Sequence, residues 1–220
     1  MKKIDIAIID YGMGNLRSVL KAFEHVAPEQ TIIVTSDPNE VKAANRVVFP
    51  GQGAMPDCIR ELDSRGLRDA VIDAARTKPF LGICIGLQML FAHSEEGDVA
   101  GLGLFDGDVK HFLRSEMLGA HGGKLKVPHM GWNQVYQKNQ NGNVHALWAG
   151  IPDEQRFYYV HSYYVKPDDQ EIEVGFSLYP NHFTGAIAKE NLFAVQFHPE
   201  KSADAGLQLL KNFKNWQPTS

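Results

Sequence analysis

The chain has 220 residues, 44% hydrophobic and 22% charged, a balance that excludes disordered, collagen-like and fibrous classes. Its 22 basic and 26 acidic residues leave a formal charge of -4 with no long run of either sign, which argues against nucleic acid as the main partner. A chain this long builds a core without disulfide or metal staples, so its two cysteines, Cys58 and Cys84, need another explanation.

Residues 4–9 (IDIAII) form a β-rich apolar run closed by DYGMGN, after which Leu16, Val19, Leu20 and Phe23 recur at helical spacing. TIIVTS (31–36) predicts a second strand, Asp37 and Pro38 open a short helix, and RVVFP (46–50) is a third strand before the turn GQG. Leu67, Ala70, Val71 and Ala74 mark a helix, FLGI (80–83) a strand, and Leu87, Leu90 and Phe91 a further helix. Apolar strands alternating with helices require a parallel sheet covered on both faces. Beyond Gly101 come RFYYVHSYYV, EIEVGFSLY, HFTGAIAKE and NLFAVQFH, which read as antiparallel or mixed strands, and residues 203–216 form a closing amphipathic helix. The expected fold is a single α/β domain over 1–220, a three-layer sandwich whose central sheet, mostly parallel or mixed, is flanked by helices. GAHGGK (119–124) reads as a flexible loop.

Asp5 and Asp10 interrupt the opening segment, so no signal peptide is expected and the chain reads as cytoplasmic. The longest uncharged run, 79–94, is too short and too polar for a membrane span. GMGNLR, GQGAMP and GLGLFD begin like dinucleotide fingerprints but carry Arg17, Pro56 and Asp106 at the third glycine position. GGK (122–124) lacks the rest of a phosphate loop, and neither HExxH nor CxxC occurs, so no cofactor or metal is expected.

Cys84 lies in GICIG at a strand-to-helix junction, which has the form of a nucleophile elbow. Its flanking glycines suit a sharp turn that pushes the central side chain out, and a helix N-terminus favours the thiolate. Cys58, in PDCIREL without glycine neighbours, reads as a core residue on a helix. A cysteine nucleophile needs a base and acid near neutral pH, and His198 stands out because it ends NLFAVQF and is followed by Pro199 and Glu200. In an extended segment residues two apart point the same way, so Glu200 orients the His198 ring and completes a Cys, His, Glu triad. The backbone N–H of Ile85 is the expected first oxyanion donor, and the Gly51 or Gln52 amide of PGQG the second.

In this order, PGQG (50–53), GICIGLQ (82–88) and HPE (198–200) resemble the triad-type, class I glutamine amidotransferases over nearly the whole chain. PHMGWN (128–133) and FYYVHSYY (157–164) are similar to segments of the glutaminase subunits of imidazole glycerol phosphate synthases. The resemblance implies that Cys84 attacks the side-chain carbonyl of glutamine, that His198 protonates the departing ammonia, and that water hydrolyses the glutamyl thioester to glutamate. It also implies that Gly51, Gly53, Gln88, His161, Ser162 and Tyr163 hold glutamine. The partner it implies is a separate (β/α)8-barrel cyclase in a heterodimer. That subunit receives ammonia through a tunnel and makes imidazole glycerol phosphate and aminoimidazole carboxamide ribotide in histidine biosynthesis. By the same resemblance Asn15 and Lys201 face the cyclase, while Trp132 suits a core and a partner surface equally. Gln52 departs from the small apolar residue common at its position. Rival readings are a glutaminase serving another synthase, a γ-glutamyl hydrolase, and a noncatalytic relative whose elbow cysteine senses oxidants.

Overall fold

The computed structural model describes residues 3–113, 115, 117–118, 124–139 and 142–218. Its first half runs β1 (Ile6–Ile9), α1 (Leu16–Val26), β2 (Ile32–Thr35), α2 (Pro38–Ala43), β3 (Arg46–Gly51), α3 (Met55–Ser64), α4 (Arg68–Thr77), β4 (Phe80–Cys84) and α5 (Ile85–Gln88). Every residue of β1, β3 and β4 is buried, as strands covered on both faces must be. α1 turns Val19, Ala22 and Phe23 inward at helical spacing, and Phe23 meets Phe213 edge-on in the last helix. The α2 N-terminus is fixed by Pro38 and by the Asp37 side chain, which accepts from Asn39 N.

The second half holds β5 (Phe91–Ser94), β6 (Val99–Ala100), β7 (Phe105–His111), β8 (His129–Gln137), β9 (Gln155–His161), β10 (Tyr163–Pro167), β11 (Glu173–Leu178), β12 (His182–Lys189), β13 (Leu192–Val195) and α6 (Ala203–Asn215). Nine strands form one mixed sheet in the order β2-β1-β3-β4-β13-β12-β11-β8-β9. The pairs from β2 to β13 are parallel, and those from β13 to β9 antiparallel. A second sheet, β10-β7-β5-β6, packs beside it through β10 and β12. β1 has β2 on one side and β3 on the other, so chain order reverses there. The crevice at the carboxyl ends of strands flanking such a reversal is where open α/β sheets place their ligands.

The helix expected through Leu90 and Phe91 is not formed. α5 is a single turn ending at Gln88, and the chain then enters β5. Long-range pairing overrides the helical periodicity: the carbonyls of Met89, Leu90 and Phe91 accept from the amides of Leu102, Leu104 and Gly103. Residues 119–123, most of the expected GAHGGK loop, lie outside the described residues. Among the described residues no helix is long and apolar enough to cross a membrane, and no group of three or more His, Cys, Asp or Glu could hold a metal ion.

Candidate active site

Cys84 ends β4 with φ +56° and ψ -111°, a left-handed conformation that costs an L-residue on the order of 1–3 kcal/mol. The tight bend is possible because Gly86 follows two residues later: a Cβ there would lie 1.8 Å from the Phe49 carbonyl oxygen. The elbow geometry read from GICIG is therefore present, on a one-turn helix instead of a long one. Cys58 is fully buried on α3, as expected of a core cysteine, and its thiol donates to the Gln52 carbonyl at 3.5 Å.

His198 reaches the site by a route the sequence does not suggest. β13 stops at Val195, and Pro199–Lys201 form a 3-10 turn, so His198 and Glu200 are not on an extended strand. The turn still brings Glu200 Oε1 to 2.8 Å from His198 Nδ1, with the two side chains only 6% and 2% exposed. His198 N donates to Tyr158 O, and Ser202 Oγ donates to His198 O while accepting from Tyr158 N, so β9 pins the turn. The Nδ1–H that faces the carboxylate leaves Nε2 free for chemistry. Nε2 is buried without a well-formed hydrogen bond, and the Cys84 sulfur acts on it mainly through charge. Burial alone would depress the His198 pKa. The Cys84 sulfur, then Glu200, outweigh burial and push it up to about 10, which favours the imidazolium.

A cavity of about 640 Å³ opens over Cys84. The loop after β1 lines it with Gly12, Met13 and Gly14, the loop after β3 with Gln52 and Gly53, and the elbow with Ile85 and Gln88. His161, Ser162 and Tyr163, where β9 passes into β10, add to the wall with His198 and Lys201. Of the residues predicted from sequence, Gly51 lies behind this lining. It pairs with Cys84 across β3 and β4, and a Cβ on it would come within 2.1 Å of Tyr11 Oη. Asn15 is half-buried before α1, where its side chain makes no cap hydrogen bond, and it does not line the cavity. Trp132 is 51% exposed and meets Tyr158 edge-on, with Met130 and Leu178 also exposed, so it is not a core residue.

His161 is buried and neutral: burial pushes its pKa down to about 3 and that of its neighbour His129 to about 4. Two residues near Cys84 and its cavity escaped the sequence reading. Glu96 lines the cavity with a carboxylate, its Oε2 accepting from Met55 N at 2.8 Å. Gln196 is fully buried and donates to the Cys84 sulfur at 3.8 Å. Only the flanking motif could have drawn attention to Gln196, and nothing local marks Glu96.

The family model for class-I glutamine amidotransferases matches residues 7–216. Among curated proteins, "Imidazole glycerol phosphate synthase subunit HisH" of Aromatoleum aromaticum is 63% identical over 97% of this chain and 99% of its own length. The protein of the same name from Nitrosospira multiformis is 64% identical over the same shares. Among solved structures, a glutamine amidotransferase from Thermotoga maritima aligns with TM-score 0.56 at 16% identity, covering 93% of this chain and 80% of that one. At that identity the likeness concerns the fold alone.

Proposed function

The chain belongs to the class-I glutamine amidotransferase family, and from that premise we propose that it is the glutaminase subunit of an imidazole glycerol phosphate synthase, residues 1–220 forming one glutaminase domain. The observation that carries the reading is a cysteine strained outward at an elbow, beneath a cavity it shares with a histidine held by a buried glutamate.

In the proposed reaction the Cys84 thiolate attacks the side-chain carbonyl carbon of glutamine. The Ile85 N–H and the Gly51 or Gln52 N–H receive the developing oxyanion, an effect worth about 3–4 kcal/mol per donor. The His198 imidazolium gives its Nε2 proton to the leaving nitrogen, the C–N bond breaks, and ammonia departs from a glutamyl thioester. Neutral His198 then takes a proton from water, whose oxygen attacks the thioester, and glutamate leaves with the thiolate restored. Glu200 holds the ring through both steps. Glu96 offers the cavity a negative group suited to the α-ammonium of glutamine, beside the neutral wall of His161, Ser162 and Tyr163.

Ammonia released into neutral water becomes ammonium, which has no lone pair for attack. Delivery to a separate (β/α)8-barrel cyclase, forming imidazole glycerol phosphate and aminoimidazole carboxamide ribotide for histidine biosynthesis, avoids that loss. The exposed Trp132, with Lys201 and Asn15, supplies the face for that heterodimer. The test is glutamate release from glutamine by the protein alone and with a cyclase subunit carrying its nucleotide ligand, with Cys84→Ser as control. Slow turnover alone, a large rise with the partner and none in the variant is the expected result. Equal rates with and without partner, or activity in Cys84→Ser, would sink the reading.

A further inference from the structure

The backbone carbonyl of Tyr163 accepts two hydrogen bonds, from His161 Nδ1 at 2.8 Å and from Gln88 Nε2 at 3.0 Å. A carbonyl oxygen only accepts, so both partners must present N–H to it. That constraint orients everything beyond them. On one side, neutral His161 carries its proton on Nδ1, leaving Nε2 to accept from His129 Nδ1 at 2.9 Å. His129 Nε2 in turn is left to accept from Asn133 Nδ2 at 3.4 Å, and the same Asn133 amide donates to Leu178 O at 3.0 Å.

On the other side, Gln88 commits its second amide hydrogen to Gln196 Oε1 at 3.0 Å. With its oxygen so engaged, the fully buried Gln196 amide can turn only its NH2 toward Cys84 Sγ, at 3.8 Å. The reversed amide would set its NH2 against the Gln88 NH2 and its oxygen against the sulfur, two repulsions in a buried site.

We propose that Gln196 is a further residue of the catalytic machinery, an N–H donor to the Cys84 thiolate, and that Gln88 is the positioning residue that holds its amide in the donor orientation. This deepens the glutaminase reading and rests on it for the task the thiolate performs. Cys84 is 4% exposed, so its anion forfeits most of its water shell, and a fixed N–H replaces part of it. Ionisation needs no outside reagent, since the proton leaving Sγ passes to His198 Nε2.

The test is alkylation of Cys84 by iodoacetamide in the full-length protein, read by peptide mass at Cys84 across a pH series. Gln196→Met keeps side-chain length but donates nothing. It is expected to move the midpoint of the alkylation curve to higher pH, slowing reaction on the acid side of the wild-type midpoint about tenfold, while the alkaline plateau is unchanged. Gln88→Met, which frees the Gln196 amide to rotate, is expected to give a smaller shift in the same direction. A merely structural role would scale the curve without moving its midpoint, and an unmoved midpoint in Gln196→Met overturns the proposal. A reading that needs no variant comes from wild-type protein, in which the Gln196 side-chain amide proton resonance is expected to move downfield as Cys84 ionises. A resonance that ignores that ionisation overturns the proposal equally. Neither readout involves glutamine. Wild-type protein that releases no glutamate with its partner therefore defeats the glutaminase reading alone, and unmoved curves in an active enzyme defeat this one alone.

Discussion

Gly51 and Cys84 stand opposite each other at the last paired position of β3 and β4, so the proposed nucleophile and the loop proposed to share its oxyanion leave the sheet side by side. That adjacency needs a hydrogen at residue 51. A Cβ would lie 2.1 Å from Tyr11 Oη and 3.1 Å from Ile85 Cβ. Gly51→Ala is expected to destabilise the protein by about 1–3 kcal/mol, a typical cost of overpacking. Tyr11→Phe removes the closer of the two contacts, and the double variant is expected to regain part of the loss in thermal unfolding. A double variant no more stable than Gly51→Ala would refute the steric account.

Glu200 is expected to act through His198 alone. Glu200→Gln removes the carboxylate that helps hold the imidazolium against burial, so the ring loses its proton at lower pH. Partner-stimulated glutamate release is expected to fall tenfold or more, by roughly the scale of general acid–base effects. Its alkaline limit is expected to shift to lower pH, and a pH profile with the wild-type alkaline limb would remove Glu200 from this role.

Acid is expected to destabilise the fold from about pH 6.5 downward. The ordinary value for histidine is 6.5, while burial holds His129 near 4, His145 near 4 and His161 near 3 in the folded chain. Below 6.5 the unfolded chain therefore binds protons the folded chain refuses, at about 1.4 kcal/mol per pKa unit and site. Melting temperature is expected to fall through that window, less steeply in His129→Phe. An equal slope in both proteins would show that His129 does not contribute.

Trp132→Ala is expected to leave stability within about 0.5 kcal/mol, because the ring is half exposed. Affinity for the cyclase, read by titration calorimetry, is expected to fall by about 2 kcal/mol, the scale of an aromatic interface anchor. Undiminished affinity would place the heterodimer face elsewhere.

Much of this fold is legible along the chain because its causes are local. Apolar runs bounded by glycine and proline mark β1, β3 and β4, and the glycine at 86 marks the elbow because no side chain fits beneath the Phe49 carbonyl. The segment after Gln88 was not legible, since its helical periodicity yields to pairing with residues 101–105. The pair His198 and Glu200 was legible as a contact but not as a geometry, a 3-10 turn doing what an extended strand was expected to do.

Spacing in the sequence determined which residue is offered as nucleophile, because an elbow is built from neighbours and steric exclusion acts over a few bonds. Only the tertiary structure decided what surrounds the sulfur. Gln88 meets the Tyr163 carbonyl 75 positions away and Gln196 meets Cys84 across 112, so the donor facing the sulfur is fixed by a carbonyl on a distant strand. Hydrogen-bond direction is a property of paired groups, and no single segment contains both members of these pairs.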